Sequence, residues 1–281
     1  LYTVDTPYAL STEKFDLLSK FTRVGYIPVI RGQNFNYNVL GRGLSRPGAL
    51  NQSGFGTILG TMKQLDPVNE TEYENAIRRL QGLEDPSYGL TPSNTHFWRS
   101  DYTLHQRPGY TVDIRTASIY TCRNENGNGE NIKGYFLTDG AMDIAINGDE
   151  YIDIFPVWDW AKIPGVTSPA VSTIPKPGQW QTSGTSTFAG GVSDSIYSVT
   201  AYYLNDQEYD INTAAKKSWF AFDDEIVCLG AGINSTAAQE INTTVNQCLL
   251  EGNVIAKAGN TVEALSQGSH SFNNLSWVLH N

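Results

Sequence analysis

The sequence predicts an α+β protein in which a helical segment is followed by an antiparallel, sandwich-like β domain. Three observations carry that prediction. Helical periodicity is confined to the start of the chain, alternating patterns take over after a Pro-, Gly-, Ser- and Asn-rich stretch at residues 84–95, and no helical pattern of useful length separates the later strand candidates. The 15 tyrosines and 26 glycines, with only 17% charged residues, fit β structure rich in turns. The boundary is placed at 90/91, giving a helical domain over 1–90 and a β domain over 91–281.

The elements follow in order. "STEKFDLLSKFTRV" predicts a helix from Ser11 to Val24: Ser11 can cap, Glu13 favours the positive end, and Leu17, Leu18, Phe21 and Val24 recur at helical spacing before Gly25 and Pro28 stop it. A second helix is predicted from Glu70 to Gln81, with Asn69 and Glu72 as a capping box and Tyr73, Ile77 and Leu80 as its stripe. Between them lies an arginine-bearing loop. Tyr110–Cys122 is predicted as one long strand, and "RNENGNGEN" (residues 123–131) as the polar hairpin loop after it. Further strands are expected at 201–204 and 243–250, and "KSWFAFDDEIVCLGAG" reads as a hairpin turning at Asp223 and Asp224. "GAGINS" from Gly230 lacks the third glycine and the β-α-β setting of a dinucleotide loop and is read as a turn.

Several function classes drop out. No apolar run is long enough to span a membrane and no leader pattern opens the chain. Leu1 at the start and "LSWVLHN" at the end, which reads as a strand, make both ends look cut. Cys122, Cys228 and Cys248 show no paired spacing and are expected to be buried thiols in strands. The four histidines match no zinc motif, and no G-x-S-x-G elbow is present. Trp158 and Trp160 are expected in the core, with a sugar-stacking platform as the alternative. A net charge of −10 excludes a general nucleic-acid binder.

That charge is unevenly spread. Residues 1–50 hold six cations (Lys14, Lys20, Arg23, Arg31, Arg42, Arg46) against three acids (Asp5, Glu13, Asp16), a local +3 that leaves −13 for the rest. Within "NFNYNVLGRGLSRP", Gly41 and Gly43 flank Arg42, and Arg46 can project toward the same place. Guanidinium forks onto carboxylates, so the pair suits an anionic ligand of limited footprint, and Glu125 and Asn128 sit on a turn-dense loop that can meet it.

These segments resemble one family. "GRGLSR" (41–46), "ENGNGENIKGYFLTDGAMDI" (125–144), "PVWDWAKIPGVTS" (156–168), "FAGGVSD" (188–194) and "KKSWFAFDDEIVCLGAGI" (216–233) are similar, in order over most of the chain, to the polysaccharide lyases that act on chondroitin, hyaluronate and xanthan. The resemblance implies an N-terminal α/α toroid, of which residues 1–90 are the last part, and a large antiparallel β-sandwich domain truncated at Asn281, with the substrate cleft between them. It implies β-elimination on a uronate glycosaminoglycan such as chondroitin sulfate or hyaluronan. It places catalytic roles on Arg42 and Glu125 and substrate-binding roles on Arg46 and Asn128.

The family's asparagine, histidine and tyrosine map upstream of Leu1, while Tyr37, Tyr102 and His105 occupy other motifs, so the chain alone is expected to be inactive. No cofactor is implied. Where some relatives place calcium ligands after the W-x-W segment, this chain keeps Asp159 but has Ala161, Ala170 and Val171, which predicts no metal. The expected partner is an anionic polysaccharide, with no nucleic acid and no membrane, for a secreted or periplasmic protein that is monomeric in its full-length form. Two rival readings stand beside this one: a non-catalytic glycan-binding or structural module, and a glycoside hydrolase using Asp139, Asp223 or Asp224.

Overall fold

The computed structural model describes residues 3–176 and 180–280. It divides into two compact units, Leu1–Gln247 and Cys248–Asn281. In the first, a helical segment precedes a β-rich body. Helix α1 spans Thr12–Lys20 and is continued by a wider π-type turn over Phe21–Tyr26. Ser11 caps it as predicted, its side chain accepting from the Lys14 amide.

The predicted apolar stripe of α1 does not form its inner face. Leu17, Leu18, Phe21 and Val24 are all exposed, whereas Ser19 and Thr22 are buried. Hydrogen bonding explains the facing: Ser19 Oγ donates to Asp66 Oδ2 (2.6 Å), which also receives Tyr73 OH (3.0 Å). Helix α2, Gly56–Leu65, escaped sequence reading because its glycines dilute the periodic signal. Helix α3 spans Glu70–Leu80 close to its predicted bounds, but without the capping box. The Asn69 amide donates to both Asp66 carboxylate oxygens (3.0 and 2.9 Å), and Glu72 pairs with Arg23 (3.1 Å). Ile27, Ile30, Leu59, Met62, Tyr73, Ala76 and Leu80 form the core that these helices share.

The β-rich body holds two four-stranded antiparallel sheets. One runs Ser93–Phe97, Tyr102–Gln106, Thr111–Arg115, Ala141–Ala145, and the other Ala189–Ser193, Ser198–Asp206, Thr213–Ala221, Ile226–Ser235. Val112, Ile114 and Met142 of the first meet Tyr202, Leu204, Ala215 and Trp219 of the second in one core. The expected long strand is broken. Thr111–Arg115 ends where Thr116 N and Ser118 N turn to bond Asp101, and the chain re-enters a new strand at Cys122–Asn126, paired with Trp180–Ser183. The hairpin about Asp223 and Asp224 is present, with Phe222 N bonding Glu225 O (3.0 Å).

Three expectations need correction. "GAGINS" is strand, not turn: Ile226–Ser235 is continuous, and Gly232 (φ +61°) and a register slip between Ala214 and Lys216 absorb the glycines as a bulge. At 243–250 only Thr243 belongs to a strand, Ile241–Thr243. The free cysteines are not deeply buried: Cys122 and Cys248 are half-buried and Cys228 is exposed. Trp158 and Trp160 are core residues, 5% and 6% exposed, with their indole N–H groups on the Gln247 and Phe155 carbonyls, so they offer no sugar platform. The second unit is a three-stranded antiparallel sheet, Thr261–Leu265, Val254–Ala258, Leu275–His280. No helix among the described residues is long and apolar enough to cross a membrane.

Candidate active site

The arginine loop is built as two short 3₁₀ turns, Tyr37–Val39 and Gly41–Ser45. Gly41 sits at φ +54°, and a Cβ there would collide with Glu125 Oε2, so glycine is what lets the carboxylate sit in this place. Gly43, by contrast, adopts no positive φ and has open space around it, so the two glycines are not equivalent.

Glu125 uses that space twice. Its Oε2 accepts from the backbone N of Arg42 (3.2 Å), and its Oε1 pairs with Arg42 Nη1. The structure thus brings Arg42 and Glu125, 83 residues apart, into one ion pair. A third member was missed by sequence reading. Glu130 accepts Arg42 Nε (3.0 Å) on one oxygen, and Arg46 Nε (2.6 Å) and Nη2 (3.0 Å) on its two oxygens, tying both arginines together. The Arg46 hydrogen bond, outweighing the opposing effect of burial, holds the Glu130 carboxyl below its usual range.

Asn128 does not join that cluster. It occupies the exposed tip of the turn at φ +56°, followed by Gly129 at φ +78°. Gly127 and Glu130 close the reversal through Glu130 N to Gly127 O (2.9 Å), the two-residue chemistry that Asn-Gly supplies. The Asn-Gly step was the available signal for Glu130: a tight turn there returns the chain beside Glu125. Glu125 itself lies within the strand rather than on a loop.

The cluster is open to solvent, with side chains 26% (Arg42), 29% (Glu125), 24% (Glu130) and 56% (Arg46) accessible. Behind it a cavity of about 10 Å³ is lined by Asn38, Arg115, Arg123 and Glu125. An open surface bearing two guanidiniums can exchange part of its internal pairing for a carboxylate or sulfate of a ligand. Of the rival hydrolase acids, Asp139 is 2% exposed and committed to Arg123 (2.9 Å), out of reach of a glycosidic bond. Asp223 is on a surface turn, bonded by Tyr197 OH (3.0 Å). Among the described residues no three His, Cys, Asp or Glu side chains gather to hold a metal ion.

A helical segment that carries two arginines, set against a β-rich body that supplies their acids, matches one family by sequence. Residues 1–81 match the N-terminal alpha-helical domain of polysaccharide lyase family 8, and residues 92–281 match its super-sandwich domain; the chain belongs to that family. It is 47% identical over 261 residues to the chondroitinase-AC of Pedobacter heparinus, covering 92% of this chain and 37% of that protein. A xanthan lyase from Bacillus sp. (strain GL1) is 36% identical over 157 residues, 54% of this chain and 16% of that one. Among solved structures, a chondroitinase AC lyase superposes with a TM-score of 0.89 at 45% identity, covering 95% of this chain and 39% of the other. The chain therefore spans well under half the length of these relatives.

Proposed function

We propose that this chain forms the arginine–carboxylate side of the cleft of a lyase that cleaves uronate glycosaminoglycans, chondroitin sulfate foremost and hyaluronan second, by β-elimination. The observation that carries the reading is the open Arg42–Glu125–Glu130–Arg46 cluster on a chain 47% identical to a chondroitinase-AC. In this reading residues 1–90 belong to an α/α toroid and residues 91–281 to an antiparallel β-sandwich.

The reaction removes the uronate C5 proton, breaks the C4–O bond, forms the C4–C5 double bond and returns a proton to the leaving oxygen. Because that C5 proton is weakly acidic, charge building on the carboxylate must be met by positive or donor groups already in place. Arg42 takes that role, held by Glu125 at both its backbone N–H and its guanidinium. Its charge also lowers the proton affinity of a nearby tyrosine. Arg46 and Asn128 bind the substrate farther along the cleft, with Arg46 presenting the more accessible guanidinium. In this reading the family's tyrosine, histidine and asparagine are supplied by residues other than those of this chain, and the 281-residue chain alone does not turn over. The protein acts outside the cytoplasm, secreted or periplasmic, as a monomer.

The test is a single absorbance assay on the lyase that carries this chain. Unsaturated ends absorb in the ultraviolet; hydrolysis gives saturated ends, and a binding module gives neither. Rising absorbance with chondroitin supports elimination, and saturated products or binding without turnover refute it.

A further inference from the structure

Directly beneath the arginine loop lie two carboxylates that neither the cluster nor its proposed chemistry uses. Asp113 and Asp143 are opposite each other on adjacent antiparallel strands and are 0% and 1% exposed. The segment just before Gly41 docks on them. Asn38 Nδ2 donates to Asp113 Oδ1 (2.6 Å), Asn36 Nδ2 to Asp113 Oδ2 (3.1 Å), and Tyr37 N to Asp143 Oδ2 (2.7 Å). Arg115 Nη1 on Asn38 O (2.5 Å) and Tyr37 OH on Met142 O (2.7 Å) complete the seat.

The donors are unequally shared. Asp113 receives both asparagine amides, Tyr102 OH (2.7 Å) and Asp143 N (3.3 Å). Asp143 Oδ2 receives Tyr37 N, while Asp143 Oδ1 receives none. Asn36 Oδ1 and Asn38 Oδ1 are likewise buried acceptors without a donor. Three orphan acceptor oxygens around the facing carboxylates lack a donor, and leaving such groups unmade is costly. A proton on Asp143 Oδ1 turns one orphan acceptor into the missing donor.

The surrounding charges agree. Arg115 attracts Asp113, whereas Asp143 faces Asp113 and Glu150, both negative, with Tyr37, Tyr102 and Tyr151 as the other titratable neighbours. Burial first, and the Asp113 charge second, raise the Asp143 carboxyl well above the ordinary range, while burial pushes Asp113 up to about 6.

We propose that Asp113 and Asp143 act as a singly protonated pair, with the proton on Asp143, and that this pair is the positioning seat for Asn36–Asn38 and hence for Arg42. The positioning role rests on the lyase reading given above; the proton does not. When Asp143 ionises, two like charges face each other beneath Tyr37 N, and the loop loses the geometry that sets Arg42 on Glu125.

Infrared difference spectra of the purified chain at neutral pH, unmutated minus Asp143→Asn, test the proton without any turnover. The expected result is a protonated-carboxyl band that the variant lacks; its absence, as with a bound cation keeping both acids ionised, overturns the proposal. Should the variant not fold, NMR titration of aspartate carboxyl carbons in the unmutated chain reads the same proton. In the lyase that carries this chain, Asp143→Asn, which keeps a donor, retains kcat/KM at pH 7 and removes the decline as pH rises through the pair's raised value. Asp143→Ala lowers kcat by roughly 10²-fold, the scale of a displaced catalytic group. Equal losses in both variants overturn the positioning role. An unmutated lyase that forms no unsaturated product refutes the elimination reading and leaves the infrared result to decide the proton by itself.

Discussion

Two arginine–carboxylate clusters meet on one strand, Cys122–Asn126, and differ in a single physical respect. Arg123 donates to Asp139 Oδ2 (2.9 Å) and Asp206 Oδ2 (2.6 Å), all three side chains at most 2% exposed, with Tyr135 OH on Asp206 (2.9 Å) and the Tyr135 ring 4.2 Å from the guanidinium carbon. Glu125, two residues on, pairs with Arg42 where both side chains keep over a quarter of their surface in water. In the first cluster Arg123, Asp139 and Asp206 are closed to solvent, so each of these charges depends on the others, with only the outlying Glu208 (3.5 Å) reaching water. In the second, water already competes, and an anionic ligand can too. Similar residue types therefore make a structural anchor in one place and a candidate binding surface in the other.

The comparison is sharpest where an arginine is removed. Arg123→Met leaves Asp139 and Asp206 buried without their cation and is expected to cost about 3–5 kcal/mol, read as a shift in denaturant midpoint. Burial already pushes Asp139 up to about 6 against the pull of Arg123. A carboxyl raised in the folded state contributes stability that is full below its unfolded value and is lost as pH rises through the folded one. The deficit of the variant is therefore smallest near pH 4 and grows toward pH 7. A uniform loss across that range would mean that the cluster is held by packing rather than by charge.

Arg42→Ala should invert the pattern. Its ion pairs are solvent-accessible, so unfolding stability changes by under about 1 kcal/mol. Yet, under the proposed elimination reading, kcat/KM of the full-length protein falls by roughly 10²–10³, the usual effect of deleting one preorganised donor. Equal effects of the Arg123 and Arg42 substitutions on stability would erase the distinction between anchor and site.

The two clusters were also unequally legible in the sequence. Arg42 and Arg46 stood out through their glycine framing and the local charge reversal, and Gly41 proved to be the position where a side chain cannot fit. Turn chemistry suggested that the Glu125 loop can meet the arginine loop, but a shared site role for Glu125 and Arg42, 83 positions apart, came from family resemblance. The Arg123 anchor was invisible for the same reason: Asp206 is 83 residues away, and scattered charges read as surface until the fold buries them. The helical stripe of α1 misled in the opposite direction, since periodicity reports which residues share a face but not whether that face is covered. Glu130 lay within reach of reasoning, given the Asn-Gly turn that sets it beside Glu125, but the prediction stopped at the turn's tip, Asn128.

Glu130 offers the smallest and most discriminating change. It occupies both arginines through two oxygens, so an incoming substrate anion must share them. Glu130→Gln keeps the shape of the side chain but removes one negative charge from the cluster, which strengthens the field that the two guanidiniums present to a polyanion. If chondroitin is the substrate as proposed, its KM is then expected to fall a few-fold at low ionic strength, with kcat little changed, and the gain should fade as salt screens the site over about 8–10 Å. A rise in KM at every salt concentration would instead show that Glu130 serves to aim the arginines and not to hold them in reserve. The buried cluster would respond differently to the equivalent change at Asp206, with stability moving, salt dependence hardly at all, and the contrast between the two sites made quantitative.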